Sequence, residues 1–140
     1  MIGVGPWIAH PETPLGKAQW PDNPEQVPNT EAMTYKVLAL ARLLCPLSNI
    51  PATTALATLN PTNGRERALQ GGANVIMPNI TPEEGRKAYE IYPGKACISE
   101  TATQCAACLQ KRLLLIGRRP GRGEGASPRY QAAARQASRQ

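Results

Sequence analysis

Short apolar runs and one-sided helical patterns alternate along this chain of 140 residues. The runs lie at residues 2–9, 49–59 and 73–77, and a turn-forming asparagine or proline follows each within two positions. Continuous apolar runs of this kind are typical of strands that are buried on both faces. We therefore predict three buried strands, the second of which ends in a loop within its run.

Amphipathic segments separate and follow these runs, and they predict three helices. The first begins at Thr30 and ends before Pro46, because proline cannot continue a helix. The other two cover residues 64–70 and 81–92, the second of them with Thr81 as its N-cap. The first helix carries apolar residues on one face: Met33, Val37, Leu40, Ala41 and Leu44.

The order of strand and helix, repeated three times, is typical of parallel β/α units. A closed (β/α)8 barrel needs about 250 residues, and three parallel strands leave two open apolar edges. We therefore expect an α/β fold that is the C-terminal part of a longer TIM barrel, followed by a cysteine-bearing helix. The alternative is a small three-stranded sheet with its own cover. The predicted divisions are 1–93 for the β/α units, 94–117 for the cysteine loop and terminal helix, and 118–140 for a tail.

The net charge of +6 comes almost entirely from that tail. Residues 118–140 hold six arginines and one glutamate, whereas the remainder is close to neutral. A segment so poor in large apolar residues cannot offset its ordering entropy, so we expect most of it to be mobile. The alternative is an arm that binds nucleic acid or a membrane surface. We predict that the tail is a solvated terminus that binds neither nucleic acid nor a membrane.

Two absences concern the location of the chain. No apolar run reaches the ~18 residues that indicate a transmembrane helix. The first residues also lack the basic and apolar regions of a secretion signal. We therefore predict a cytoplasmic, reducing location, where structural disulfides are uncommon.

The cysteines give the clearest chemical pattern. Cys97, Cys105 and Cys108 form C-x7-C-x2-C on a predicted loop that leads into an apolar helix. Thiolates are the ligands that zinc and iron–sulfur clusters need, and a nearby helix N-terminus stabilises their negative charge. The pattern predicts a metal site with one position left for another ligand. Three unpaired thiols or a Cys105–Cys108 disulfide are the alternatives, and Cys45 is predicted to be a core residue.

A second group of residues lies where the predicted strands end. In a parallel barrel these ends and the loops after them build the active site. Thr53 and Thr54 end the second strand, and their hydroxyl and backbone N–H groups can hold a small anion. Met77 ends the third strand and offers a soft apolar contact. Threonines in an ordinary strand and a methionine in the core are the alternatives.

Five segments together resemble the HydE family, the radical S-adenosylmethionine maturases of FeFe-hydrogenase. The segment GVGPWIAHPETPL is similar to the family pattern G-x-G-P-F-I-P-H-P-x-T-P-L, with tryptophan in place of the usual phenylalanine. The resemblance covers about residues 1–122 and implies the C-terminal portion of the family's barrel. The other four segments are NIPATTA at 49–55, GANVIMPN at 72–79, YPGK at 92–95 and GRRPGR at 117–122.

The resemblance carries specific expectations. It implies a parent barrel in which a 4Fe–4S cluster cleaves S-adenosylmethionine. The parent enzyme would act on a small iron–carbonyl–cyanide substrate during assembly of the hydrogenase di-iron centre. Other hydrogenase maturases would be its partners in this assembly. Thr53 and Thr54 would contact an anionic group of the substrate, and Met77 would line the S-adenosylmethionine side of the cavity. Cys97, Cys105 and Cys108 would hold the accessory 2Fe–2S cluster that some members carry.

One departure from the family limits what these residues can do by themselves. The catalytic cluster needs C-x3-C-x2-C, and the four cysteines of this chain do not form that spacing. We therefore predict no catalytic residue in this chain and no radical chemistry from it alone, although the parent is an enzyme. Biotin synthase and methylornithine synthase are the alternative relatives. A non-enzymatic iron–sulfur or zinc module is the alternative function.

Overall fold

The computed structural model describes residues 1–19 and 23–137. Its elements are helices and two short strands. In chain order they are α1 (Pro14–Lys17), α2 (Glu31–Leu44), β1 (Pro51–Ala52), α3 (Thr54–Leu59), α4 (Gly64–Gln70), β2 (Val75–Ile76), α5 (Glu83–Arg86), a 3-10 turn (Lys87–Tyr89), α6 (Ala102–Leu115) and α7 (Pro128–Ala137). No helix among these residues is long and apolar enough to cross a membrane.

The two described strands form a parallel pair. Pro51 lies opposite Val75, and Ala52 lies opposite Ile76. Helices α3 and α4 connect them, which is the β/α arrangement that the sequence predicts. The mixed α/β character is thus confirmed, whereas the predicted number of three strands is not.

Residues 2–9 are extended without forming an assigned strand. Exposure alternates along them: Pro6 is buried and Ile2, Val4 and Ile8 are half-buried, whereas the residues between them are exposed. Ile2 donates its backbone N–H to the Asn49 carbonyl at 2.8 Å. Pro6 has no N–H to donate, so a regular hydrogen-bond ladder is interrupted at this position. The predicted first strand is therefore an extended segment beside the sheet.

The run 49–59 is mostly helical rather than a strand with a loop. The strand part is only Pro51–Ala52, and α3 begins at Thr54. The Thr53 hydroxyl accepts a hydrogen bond from the Leu56 backbone N–H at 3.5 Å, so Thr53 is the N-cap. Alanine and leucine after a capping threonine favour a helix.

The predicted helices differ in how well they match the structure. Residues 64–70 are helical as predicted, and the first helix ends at Leu44 before Pro46. Residues 81–92 contain only α5 and the 3-10 turn, and Thr81 does not cap α5 because Pro82 occupies the N-cap position. Gly85 within α5 weakens the helix, since glycine has a low helix propensity.

The predicted tail also contains ordered structure. Helix α7 covers Pro128–Ala137, and the Asn49 side chain donates a hydrogen bond to the Gly125 carbonyl at 2.8 Å. The composition did not predict this helix. Residues 138–140 lie outside the described residues, and the mobility of the tail stays a prediction.

A single apolar cluster holds the strands, α2, α3, α4 and α6 together. Leu38 of α2 and Ile50 before β1 are both fully buried in it. Leu113 brings α6 to the same cluster, so the cysteine helix packs directly on the β/α units. The buried members are Leu38, Ile50, Ala52, Leu56, Ala68, Leu69, Ala73 and Leu113.

We expect Leu38→Ala to destabilise the chain strongly. The side chain is 0% exposed, and removing a buried leucine costs about 3–5 kcal/mol through lost transfer energy and the remaining cavity. Leu43→Ala on the same helix is the matched control, because Leu43 is 79% exposed and its loss should change stability by less than about 0.5 kcal/mol. Urea unfolding measures both, and equal midpoints for the two variants would contradict the described core.

Candidate functional site

A cavity of about 320 Å³ lies between α6 on one side and α3, the start of α4 and the loop of residues 94–100 on the other. All three predicted metal-binding cysteines line it, and so do two arginines and a glutamate. Its polar lining residues include Thr58, Arg65, Cys97, Glu100, Cys105, Cys108 and Arg112. The structure therefore brings the predicted thiols to one place and adds charged groups of both signs.

Three potential ligands are especially close to one another. The Cys97 and Cys105 sulfurs and a Glu100 carboxylate oxygen all lie within 4.8 Å of each other. Cys108 lines the same cavity but is exposed and outside this group. Glu100 was not among the ligands predicted from the sequence. The spacing C-x2-E from Cys97 was the available signal.

Cys105 and Cys108 lie inside α6 rather than on a loop before it. Thr101 is the N-cap of this helix and forms a capping box with Gln104, so the helix begins at Ala102, three residues before Cys105. Cys105 is 1% exposed, and the Asn79 backbone N–H points at its sulfur at 3.4 Å. The helix thus presents one buried and one exposed thiol, one turn apart.

Cys97 has a strained backbone. Its φ is +65°, a left-handed backbone conformation that residues other than glycine rarely adopt. No other non-glycine residue in the described ranges has a positive φ. The Cys97 carbonyl accepts hydrogen bonds from the Asn79 side chain at 2.9 Å and from Arg86 at 3.3 Å. These bonds hold the residue in place, and such strain commonly accompanies functional sites.

Arg86 fixes the segments around the site. Its guanidinium is buried, and it donates to the carbonyls of Thr81 at 2.7 Å, Asn79 at 3.2 Å and Cys97 at 3.3 Å. Three carbonyl dipoles thus replace water around the buried cation. The consequence is that the loop after β2 and the loop carrying Cys97 are joined by one side chain.

Arg65 is a buried cation without a carboxylate partner among the described residues. It is 5% exposed, its Nη1 lies 3.8 Å from the Cys97 sulfur, and its Nη2 lies 3.5 Å from the Thr54 hydroxyl. Its Nε has no hydrogen-bond partner. Burial raises the pKa of the Cys97 thiol, and the Arg65 guanidinium opposes that rise. An incompletely partnered buried cation beside thiols fits an anionic thiolate–metal centre.

Arg112 attaches the cysteine helix to α4. Its guanidinium pairs with both carboxylate oxygens of Glu66, one of them through Nη2 at 2.8 Å, and also donates to the carbonyl of Thr62 at 2.9 Å. Bidentate pairs of this kind set geometry as well as adding energy. This contact fixes the position of α6, and hence of Cys105, relative to the β/α units.

We expect the Glu66–Arg112 contact to be lost in acid. Hydrogen bonding to Arg112 lowers the pKa of Glu66, so this stabilisation is full above the unfolded-state value near 4.5 and is lost as pH falls through the lower folded-state pKa. Glu66→Gln should remove part of the acid sensitivity and about 1 kcal/mol of stability at neutral pH.

Urea unfolding at about pH 7 and about pH 3 measures the effect. Glu12→Gln is the control, since the pair of Glu12 with Lys17 is largely exposed. An acid sensitivity of Glu66→Gln equal to that of the unmodified chain would contradict the assignment.

Thr53, Thr54 and Met77, the predicted barrel-end residues, follow the carboxyl ends of the strands, but they face different neighbours. Thr53 faces the segment 2–9, because a Cβ added to Gly5 would lie 2.8 Å from its hydroxyl. Thr54 faces Arg65 and, through it, the thiol cavity. Met77 follows β2, is 49% exposed and is not among the residues that line that cavity. Cys45, predicted as core, is half-buried at the end of α2.

No protein-family model matches the chain. The chain is 48% identical over 129 residues to the FeFe hydrogenase maturase subunit HydE of Thermotoga maritima. The aligned segment is 92% of this chain and 34% of that protein, so the chain spans about a third of the length of this curated relative. The similarity confirms the resemblance to HydE that the sequence motifs predict.

Proposed function

We propose that this chain, with its confirmed similarity to HydE, is the C-terminal part of a radical S-adenosylmethionine enzyme of the HydE type. The observation that supports this proposal is the 48% identity to the Thermotoga maritima HydE protein over 92% of the chain. The parallel β/α arrangement is compatible with a segment of a TIM barrel. In this proposal the parent acts in hydrogenase maturation, in the cytoplasm, together with other hydrogenase maturases.

The barrel-end residues have separate roles in this proposal. Thr53 and Thr54 follow β1, and their hydroxyl groups contact an anionic group of a small iron–carbonyl–cyanide substrate. Met77 follows β2 and lines the S-adenosylmethionine side of the parent's cavity. Its exposed fraction of 49% leaves it free for such a contact. The 4Fe–4S cluster and S-adenosylmethionine belong to the parent, because this chain lacks C-x3-C-x2-C.

The thiol cavity is proposed as an accessory metal centre. Cys97, Cys105 and Cys108 are the thiolate ligands, with a 2Fe–2S cluster as the expected group. Arg65 supports the assignment, because its buried cation offsets the negative charge of thiolates. A bound iron–sulfur cluster supplies a one-electron redox centre. The three cysteines hold the cluster. The buried Cys105 excludes water from one side of the cluster, and the exposed Cys108 leaves the other side accessible.

An exchange of segments tests the proposed enzyme. The aligned third of the Thermotoga maritima protein is replaced by this chain, and the chimera is loaded anaerobically with iron and sulfide. We expect 5′-deoxyadenosine from S-adenosylmethionine with the chimera and none with this chain alone. A chimera that folds and loads its cluster but forms no product would contradict the proposal, as would product from the isolated chain.

The second candidate is a non-enzymatic iron–sulfur or zinc module. The observation that favours it is the thiol cavity, which lies entirely within this chain. Metal uptake by the isolated chain combined with an inactive chimera would favour this candidate. A chimera that makes biotin synthase or methylornithine synthase products instead would assign the parent to one of those related families.

A further inference from the structure

We propose that Arg65 sets the reduction potential of the accessory centre and that the Thr54 hydroxyl holds the Arg65 guanidinium in place for this task. The inference rests on the proposed 2Fe–2S centre and deepens it. It concerns the control of the bound group by a side chain that is not one of its ligands. Arg65 lines the thiol cavity, and its charge raises the potential above the value that a neutral side chain would give.

The guanidinium of Arg65 is a buried cation that lacks a carboxylate. Arg65 is 5% exposed, and none of the ion pairs in the described ranges includes it. The adjacent carboxylate of Glu66 is paired with Arg112 instead. A cation taken out of water is costly unless an anion and hydrogen bonds offset its lost hydration. Bound thiolates supply the negative charge that this guanidinium lacks.

The contacts of the guanidinium direct it at a sulfur ligand. Its Nη1 lies 3.8 Å from the Cys97 sulfur, and its Nη2 lies 3.5 Å from the Thr54 hydroxyl oxygen. Its Nε is buried without a hydrogen-bond partner. Because the guanidinium is a rigid plane with donors in fixed directions, the contact of Nη2 with Thr54 also fixes where Nη1 points. Thr54 is therefore the positioning residue of Arg65.

This role of Thr54 is compatible with its proposed contact to a substrate anion. The hydroxyl oxygen accepts from Arg65, and a hydroxyl group keeps its own hydrogen for donation to another group. The same side chain can thus anchor the guanidinium on one side and donate to an anion on the other. Arg65 and Thr54 together connect the end of β1 to the thiol cavity.

The charge of Arg65 favours the reduced form of a bound cluster. Reduction adds one electron, and hence one negative charge, to the cluster, and a nearby cation stabilises that charge. Hydrogen bonds to the sulfurs, net charge and exposure to solvent set the potential of iron–sulfur clusters. Arg65 and Cys105 are 5% and 1% exposed, so little water screens this interaction. Arg112, the other cation of the cavity lining, is already paired with Glu66.

A redox titration of the chain, loaded anaerobically with iron and sulfide, provides the test. Dithionite supplies the electron, and visible absorbance and EPR report the reduced fraction at each potential. Arg65→Gln removes the charge, whereas Arg65→Lys keeps it. Thr54→Val removes the hydroxyl, whereas Thr54→Ser keeps it. Arg67→Gln is the control, because Arg67 is on the same helix but pairs with Glu31 and does not line the cavity.

We expect Arg65→Gln to shift the equilibrium at least ~10-fold toward the oxidised cluster, because a buried charge close to a sulfur ligand is weakly screened. For one electron this shift lowers the midpoint potential by about 59 mV or more. Arg65→Lys should restore most of the midpoint, since it keeps the positive charge. Thr54→Val should lower the midpoint by less than Arg65→Gln, and Thr54→Ser and Arg67→Gln should match the unmodified chain.

A second measurement uses the unmodified sequence and so does not depend on a variant that folds. The chain is produced with ¹⁵N-labelled arginine, loaded and reduced, and pulsed EPR then detects labelled nitrogen close to the cluster. We expect a ¹⁵N coupling that is lost in Arg65→Lys and kept in the labelled Thr54→Ser variant.

Three results would overturn the inference: an unchanged midpoint in Arg65→Gln, an equal shift in Arg65→Lys and Arg65→Gln, or no ¹⁵N coupling in the unmodified chain. An arginine with only a structural role would change loading or stability and would not separate the lysine variant from the glutamine variant by midpoint. An unmodified chain that takes up no cluster would instead refute the proposed metal centre itself.

Discussion

Cys105→Ser should abolish metal uptake by the thiol cavity while leaving the chain folded. Cys105 is 1% exposed and is one of the three residues whose ligand atoms lie within 4.8 Å of one another. A serine hydroxyl fills nearly the same space but stays protonated and is a poor ligand for zinc or iron. We expect a loss of more than ~100-fold in metal affinity, since a first ligand contributes more than the 10–100-fold of its supporting groups.

Metal analysis and visible absorbance after anaerobic loading with iron and sulfide measure this loss. Cys45→Ser is the matched control, because Cys45 is a free, half-buried thiol at the end of α2 and does not line the cavity. It should load like the unmodified chain. Equal loading of the two serine variants would show that the cavity is not the metal site.

Arg86→Met should destabilise the fold by about 3 kcal/mol, since each of three part-buried carbonyls loses a charged hydrogen-bond donor at a cost near 1 kcal/mol or more. The carbonyls belong to Asn79, Thr81 and Cys97. Methionine fills much of the side-chain volume, so the effect reports the lost hydrogen bonds more than a cavity. The loop that carries Cys97 should loosen, which should also weaken metal binding.

Urea unfolding of the metal-free chain measures the stability. Lys87→Met is the control, because the adjacent Lys87 is exposed and its replacement should change stability by less than about 0.5 kcal/mol. An Arg86→Met variant with the unfolding midpoint of the control would contradict a structural role for the buried guanidinium.

The parts of the fold that were predictable from sequence are those fixed by local physics. The helix at Gly64–Gln70 lies where its pattern and the following glycines indicate, since Gly72 adopts a φ of +132°. The cysteine spacing likewise predicted that the three thiols lie close together, although Cys105 and Cys108 lie within α6 rather than on the predicted loop before it. The helix α3 was missed, because an apolar run does not distinguish a strand from a buried helix.

The parts that were not predictable depend on partners distant in the chain. Arg65 meets Cys97 across 32 positions, and nothing in the local sequence around Arg65 distinguishes it from the exposed Arg67. The sequence predicts that Arg86 lies within a helix over residues 81–92, but α5 ends at Arg86. Its side chain turns back and donates hydrogen bonds to loop carbonyls. Glu100 is ordinary in sequence and becomes a candidate ligand only because the two cysteines are folded around it.

The span of the contacts around the thiol cavity has a consequence for the order of folding. The contact of Arg112 with Glu66 spans 46 positions, and that of Asn79 with Cys105 spans 26. Closing loops of this length costs chain entropy before any contact compensates it, so such contacts form late, after local helices. We therefore expect Cys97 to be separate from Cys105 and Cys108 early in folding, with all three thiols exposed to water, and the cavity to assemble late.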